Sequence, residues 1–205
     1  MKPLRKLKKG YSMSTLLLKM DAPLQAWGTG LKLKNHNTDL YPSKSGVIGM
    51  VASALGRSRE ADISDLAALK FGVRIDNQGT IIDDFQVSEV SPKEKKIGHR
   101  TYLSDACFTC GFEGNDDMIV TIAEALKHPA NALFLGRRGC PVTVDLVQRV
   151  TDLSLEEALE DYDKSDGHRT LVIETDDTSC EAVRDVPVSF GLEERVYKYR
   201  LIRKL

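Results

Sequence analysis

Residues 16–56 constrain this chain most. An apolar run, LLLKM, leads into a Pro-Leu-Gln-Ala-Trp-Gly corner. A polar loop follows, and then a helix built from small residues, YPSKSGVIGMVASALG. Pro42 fits the helix boundary, Ser43 can cap it, and Lys44 and Ser45 fall in its first turn. Val47, Ile48, Val51 and Leu55 recur at helical spacing. Gly46, Gly49, Ala52 and Ser53 keep the helix thin enough for its backbone to lie close to a sheet, and Gly56 ends it. The unpaired N–H groups at such a helix start suit an anion, phosphate included.

A chain of 205 residues with 41% hydrophobic and 29% charged side chains can bury a core without staples. No run approaches the ~18 apolar residues of a membrane span, and the basic first residues lack the apolar stretch of a secretory signal. Residues 1–12 are therefore expected to be a disordered basic extension, with Met13 a plausible natural start. The net charge of −1 argues against a general nucleic-acid binder. Its distribution is uneven. Residues 1–110 hold 17 Lys and Arg against 11 Asp and Glu, and the remainder 12 against 19. Five of the front-half cations lie in the extension, so the asymmetry is weak evidence for an RNA face.

Four cysteines, at 107, 110, 140 and 180, include a CxxC. Ala106, Phe108, Cys110 and Phe112 share one strand parity and Cys107 the other, so the two thiols point to opposite faces. No second pair completes a tetrahedral site. Reduced thiols, no metal, no cofactor and a cytoplasmic location are the expectation.

The pattern predicts a strand over 14–20, helices over 43–55 and 64–70, and a hairpin over 71–90 turning at Asn77-Gln78-Gly79. A charged connection over 91–98, a strand over 100–112 and a helix over 116–127 follow. That order is the skeleton of a ferredoxin-like, RRM-type α+β unit, with the charged connection as a short inserted basic loop. After Thr143 the signals weaken. A capping box at Ser154 and Glu157 opens a short helix, residues 168–175 are strand-like, and the final segment places Tyr197, Tyr199 and Leu201 opposite Lys198, Arg200 and Lys204. The expected division is the extension, a ferredoxin-like domain over 13–143, and a small C-terminal region over 144–205 packed on it.

The PSKSG helix start, the stretch HRTYLSDACFTCGFEG (99–114) and LGRRGCPVT (135–143) together resemble the CasD family of CRISPR-associated RAMP proteins. The resemblance implies a non-catalytic subunit of a type I-E Cascade complex. Such a subunit binds the 5′ handle of the guide RNA and caps one end of the assembly. It touches the backbone RAMP subunit and the large subunit, meets target DNA only through the complex, and has no membrane partner. It also implies a β-hairpin thumb that bends the RNA. Only about a dozen residues separate the flanking strands here, which predicts a reduced wedge.

Arg137 and Arg138 between two glycines are the leading RNA-contact candidates, as guanidinium forks suited to phosphates; the bland alternative is a solvated loop. Ser43, Lys44 and Ser45 follow, as phosphate ligands or simple capping. Gln25 and Trp27 come third. Trp27 either stacks a base or packs over the adjacent helix, the commoner fate. Arg100, Lys95 and Lys96 form a basic cluster near the connection, with His36 in the polar loop. His36 and His99 also leave open an endoribonuclease acting by general acid–base steps, and a protein-only assembly module is the third reading.

Overall fold

The computed structural model describes residues 12–28, 38–91, 94–163, 169–191 and 195–205. The elements in chain order are β1 (Met13–Asp21), β2 (Leu24–Gln25), α1 (Lys44–Ala54), α2 (Ser64–Ala67), β3 (Lys70–Asn77), β4 (Thr80–Ser91), β5 (Glu94–Ser104), β6 (Cys107–Asn115), α3 (Asp116–Lys127), β7 (Val147–Thr151), α4 (Leu155–Asp161), β8 (Thr170–Thr175), β9 (Glu181–Ser189) and β10 (Val196–Lys204). Seven strands form one sheet in the order β7-β1-β6-β3-β8-β10-β9, every neighbouring pair antiparallel. The chain is thus of mixed α and β structure on a mostly antiparallel sheet.

Alternation in β1 sets up two cores. Leu16, Leu18 and Met20 face the cluster that includes Val47, Ile48 and Val51 of α1 and Ile119 and Ile122 of α3, while Leu17 faces Leu155, Ala158 and Leu159 of α4. The α4 side needs glycine. A Cβ on Gly111 would lie 2.5 Å from Leu155 Cδ1, and one on Gly72, its register partner, 3.0 Å from Leu159 Cδ1. Ser154 and Glu157 form the expected capping box, and buried Arg74 closes the other end of α4 by donating to the carbonyls of Leu159 and Tyr162.

Three expectations are corrected here. The hairpin over 71–90 does not form, because β3 pairs with β6 and β8 inside the large sheet. The turn at Asn77-Gln78-Gly79 instead hands the chain to a second sheet, β2-β5-β4. Gly79 has φ +65°, and a Cβ there would lie 2.3 Å from the Ser104 carbonyl oxygen. The strand expected over 100–112 breaks at Asp105, which has φ 55°, into β5 and β6. The short basic loop is therefore a long hairpin. Eleven of the twelve residues of β4 pair with the eleven of β5, from Thr80↔Ser104 to Ser91↔Glu94, with a register shift between Glu89 and Ser91.

The division expected at residue 143 does not appear as a break in the sheet: β7 pairs with β1, and β8 pairs with β3. Residues 1–11 of the basic extension lie outside the described residues. In β10 the buried side chains are Arg200 and Ile202, from the parity that carries the charges, and Tyr199 is exposed.

Candidate nucleic-acid interface

The small residues of α1 serve a cleft as well as the core. Its Gly46, Gly49 and Ser53 side lines an opening of about 800 Å³. The other walls are Arg57 to Arg59 just after the helix, the loop carrying Asn131, Phe134, Gly136, Arg138 and Pro141, and Phe190, Arg195 and Tyr197 at the β9–β10 end. Gly136 presses that loop against the main chain. Its φ is +85°, and a Cβ would lie 1.7 Å from the Ala26 carbonyl oxygen, so only glycine fits. Ala26 N donates to the Leu135 carbonyl and Leu135 N to that of Cys140, which fixes the loop against the Trp27 corner.

Four arginines, Arg57, Arg59, Arg138 and Arg195, line the cleft, and among the described residues no carboxylate does. Arg57 is tied by two 2.6 Å bonds to Asp65, which raise its own pKa and hold the Asp65 carboxyl below the usual range. Among the described residues no carboxylate pairs with Arg59, Arg138 or Arg195. Three guanidiniums without a carboxylate partner among the described residues, set around hydroxyls and aromatic rings, suit a polyanion with planar groups, which is the chemistry of single-stranded nucleic acid.

The expected site residues divide. Ser43 and Ser45 line the cleft, although both are largely buried and Ser43 Oγ caps the helix by accepting from Gly46 N. Lys44 turns the other way. Its side chain is buried, its ammonium lies 2.9 Å from Glu174, and its backbone N–H donates to Asp185 at 2.8 Å. The anion that completes this helix start is the chain's own carboxylate, so the phosphate role expected for Lys44 is corrected. Burial also lowers the Lys44 pKa, opposed by Glu174.

Gln25 is fully buried, and Nε2 donates to the carbonyls of Met20 and Ala106 while Oε1 accepts from Trp27 Nε1 at 2.9 Å. Trp27 is 1% exposed, and its ring lies against Gly46, where a Cβ would approach within 3.0 Å. Gln25 is structural, and Trp27, although it borders the cleft, takes the packing alternative rather than an exposed stacking position. Arg138 is exposed at the cleft, whereas Arg137 is half-buried over the Tyr102 ring at 5.1 Å and donates to the Thr101 carbonyl at 3.3 Å. It braces the base of the β4–β5 hairpin.

Arg100 and Lys95 are exposed on that hairpin, opposite Asp84 and Glu89, and are not among the residues lining the cleft. Lys96 of β5 pairs with Ser88 of β4, its side chain outside the described set, and His36 lies outside the described residues. His99 faces Phe85 edge-on, ring centroids 5.3 Å apart. The stripe Ile81, Phe85, Val87 and Ile97 on this hairpin is exposed. Sequence reasoning missed Arg57, Arg59 and Arg195. The Gly-Arg-Ser-Arg run at the end of the small-residue helix was the available signal for the first two.

All four cysteines are free, and the described residues contain no group of three or more side chains able to hold a metal. No helix among the described residues is long and apolar enough to cross a membrane.

Comparison with known proteins gives a consistent answer. The family described as CRISPR-associated protein (Cas_Cas5) matches residues 15–203. The CRISPR system Cascade subunit CasD of Escherichia coli (strain K12) is 32% identical over 155 residues, covering 63% of this chain and 68% of that protein. Among solved structures, one described as a Cas protein is 35% identical with a TM-score of 0.72, covering 93% of both chains. A chain of a CRISPR RNA-guided surveillance complex is 29% identical with a TM-score of 0.79, covering 93% of this chain and 89% of that one. The chain belongs to the CRISPR-associated Cas5 family.

Proposed function

We propose that this Cas5-family chain is a non-catalytic subunit of a type I-E Cascade complex and holds the 5′ handle of the guide RNA in the arginine-lined cleft. The observation that carries this reading is the lining itself, with four arginines and, among the described residues, no carboxylate. Unpaired RNA exposes base edges and faces to such a site, and Phe134, Phe190 and Tyr197 offer rings beside the guanidiniums. We read β7-β1-β6-β3 with α1 and α3 as the ferredoxin-like unit, since β1 and β3 both run antiparallel to β6 between them. The exposed apolar face of the β4–β5 hairpin then belongs to the assembled complex, against RNA and the backbone subunit, with the large subunit as a further neighbour.

The test is to purify the full chain by a C-terminal tag from its host and sequence the RNA retained. Uniform short RNAs sharing one 5′ end, together with other CRISPR-associated subunits, are expected. In the Arg138→Ala, Arg195→Ala double variant the RNA should fall several-fold while the fold is kept. No RNA, or a random mixture, overturns the reading.

A further inference from the structure

We infer that the RNA path continues out of the cleft onto the open face of β9 and β10, where Tyr199 and Arg184 form a second single-strand contact. This inference rests on the cleft reading above. Tyr197 lines the cleft. Tyr199 lies two residues further along β10, on the same side of the strand, about 6.5 Å away. It is 67% exposed, more than any other large apolar or aromatic side chain among the described residues. An exposed ring in a strand is ordinary by itself; its neighbour is what distinguishes this one.

Arg184 of β9 places its guanidinium 5.9 Å from the Tyr199 ring centroid, and its Nε donates to the Tyr197 carbonyl at 3.2 Å. One arginine thus bridges the two tyrosines, held in place from its Nε side. Among the described residues no carboxylate pairs with Arg184. Asp185, next to it in sequence, is turned inward and neutralised by Arg200. The remaining N–H groups of Arg184 are available to a phosphate while Tyr199 offers its ring to a base.

The bulge that puts Arg184 beside Tyr199 is written in the register. Lys198 pairs with Val186 and Arg200 with Val183, so Arg184 and Asp185 together oppose Tyr199. The extra residue lets one side chain go outward to the ring and the next go inward to the core. Arg195, also a cleft residue, immediately precedes β10. The run Arg138, Arg195, Tyr197, Arg184, Tyr199 is cationic and aromatic, matched to an anionic single strand rather than to a protein surface.

The experiment measures binding of the full chain to two labelled oligouridines by fluorescence anisotropy. One is short enough to lie within the cleft and serves as a competitor where its direct signal is weak; the other is long enough to overhang it. Tyr199→Ala and Arg184→Gln should each weaken the longer probe by about fivefold or more and leave the shorter unchanged, and Tyr199→Phe should restore binding. Arg138→Ala should weaken both probes.

If Arg138→Ala weakens both and Tyr199→Ala weakens neither, the cleft reading stands and this inference falls. If Arg138→Ala also has no effect, the cleft reading falls with it. Equal loss on both probes in Tyr199→Ala marks a structural role and overturns the inference. So does unchanged RNA affinity with loss of co-purifying protein subunits, which would make the face a protein contact.

Discussion

Asp185 accepts the backbone N–H of Lys44 at 2.8 Å across 141 residues of chain, and the same carboxylate takes both Arg200 Nε at 2.6 Å and Nη2 at 2.9 Å. Asp185 and Arg200 are 1% and 6% exposed. Removing one member of a buried pair strands the other charge and costs about 3–5 kcal/mol. Asp185→Ala should lower stability by that order in urea denaturation. The double change Asp185→Leu with Arg200→Met should recover much of it. A double variant as unstable as the single one would show that the pair's charge is not what matters.

Trp27 is the sole tryptophan and is buried against Gly46, so its emission reports one known environment. The spectrum of the free chain should be blue-shifted, resist acrylamide quenching and change little when RNA binds. Trp27→Ala should cost about 3–5 kcal/mol. Strong quenching on RNA addition would return the residue to the binding surface.

Arg137 and Arg138 should separate in experiment although adjacent in sequence. Arg137→Ala removes the cation–π contact with Tyr102 and a bond to the hairpin base, and should lower stability by about 1 kcal/mol. Arg138→Ala should leave the melting temperature unchanged. It should also reduce the slope of log affinity against log salt by about 0.7, the signature of one lost phosphate contact on a single strand.

Burial, and after it the nearby Asp21 carboxylate, push the Cys107 thiol up to about 11, and burial pushes Cys110 up as well. At pH 8 roughly one Cys107 in a thousand is thiolate, so native alkylation followed by mass spectrometry should show little labelling there. The folded state keeps these protons longer than the unfolded chain, whose thiols titrate near 9.0. Stability is therefore fully present below about pH 9 and falls as pH rises from there toward 11. Fast labelling of Cys107 at neutral pH would refute the assigned environment.

How legible was this in the sequence? The start of α1, the capping box at Ser154 and the alternation of β6 were plain because caps and periodicity act within a few residues. The partner of β4 was not. Ile81, Phe85 and Val87 alternate identically whether the strand folds back on β3 or pairs with β5, and their exposure shows that alternation here marks a surface, not a core. Lys44 looked available for a phosphate because Glu174 and Asp185, which take its ammonium and its amide, come from strands more than a hundred residues later. The cleft arginines were dispersed for the same reason: Arg57, Arg138 and Arg195 meet only through tertiary structure.

That dispersal has a consequence for synthesis. The cleft's first wall is made near residue 26 and its last at Tyr197, on a strand whose sheet partners are β8 and β9. A ribosome extending this chain can complete the α1 side of the cleft long before the Arg195 side exists. On the proposed reading, the full RNA-holding lining therefore exists only once Tyr197 has been made. A partly made chain presents only part of that lining, with Arg195 and Tyr197 still missing.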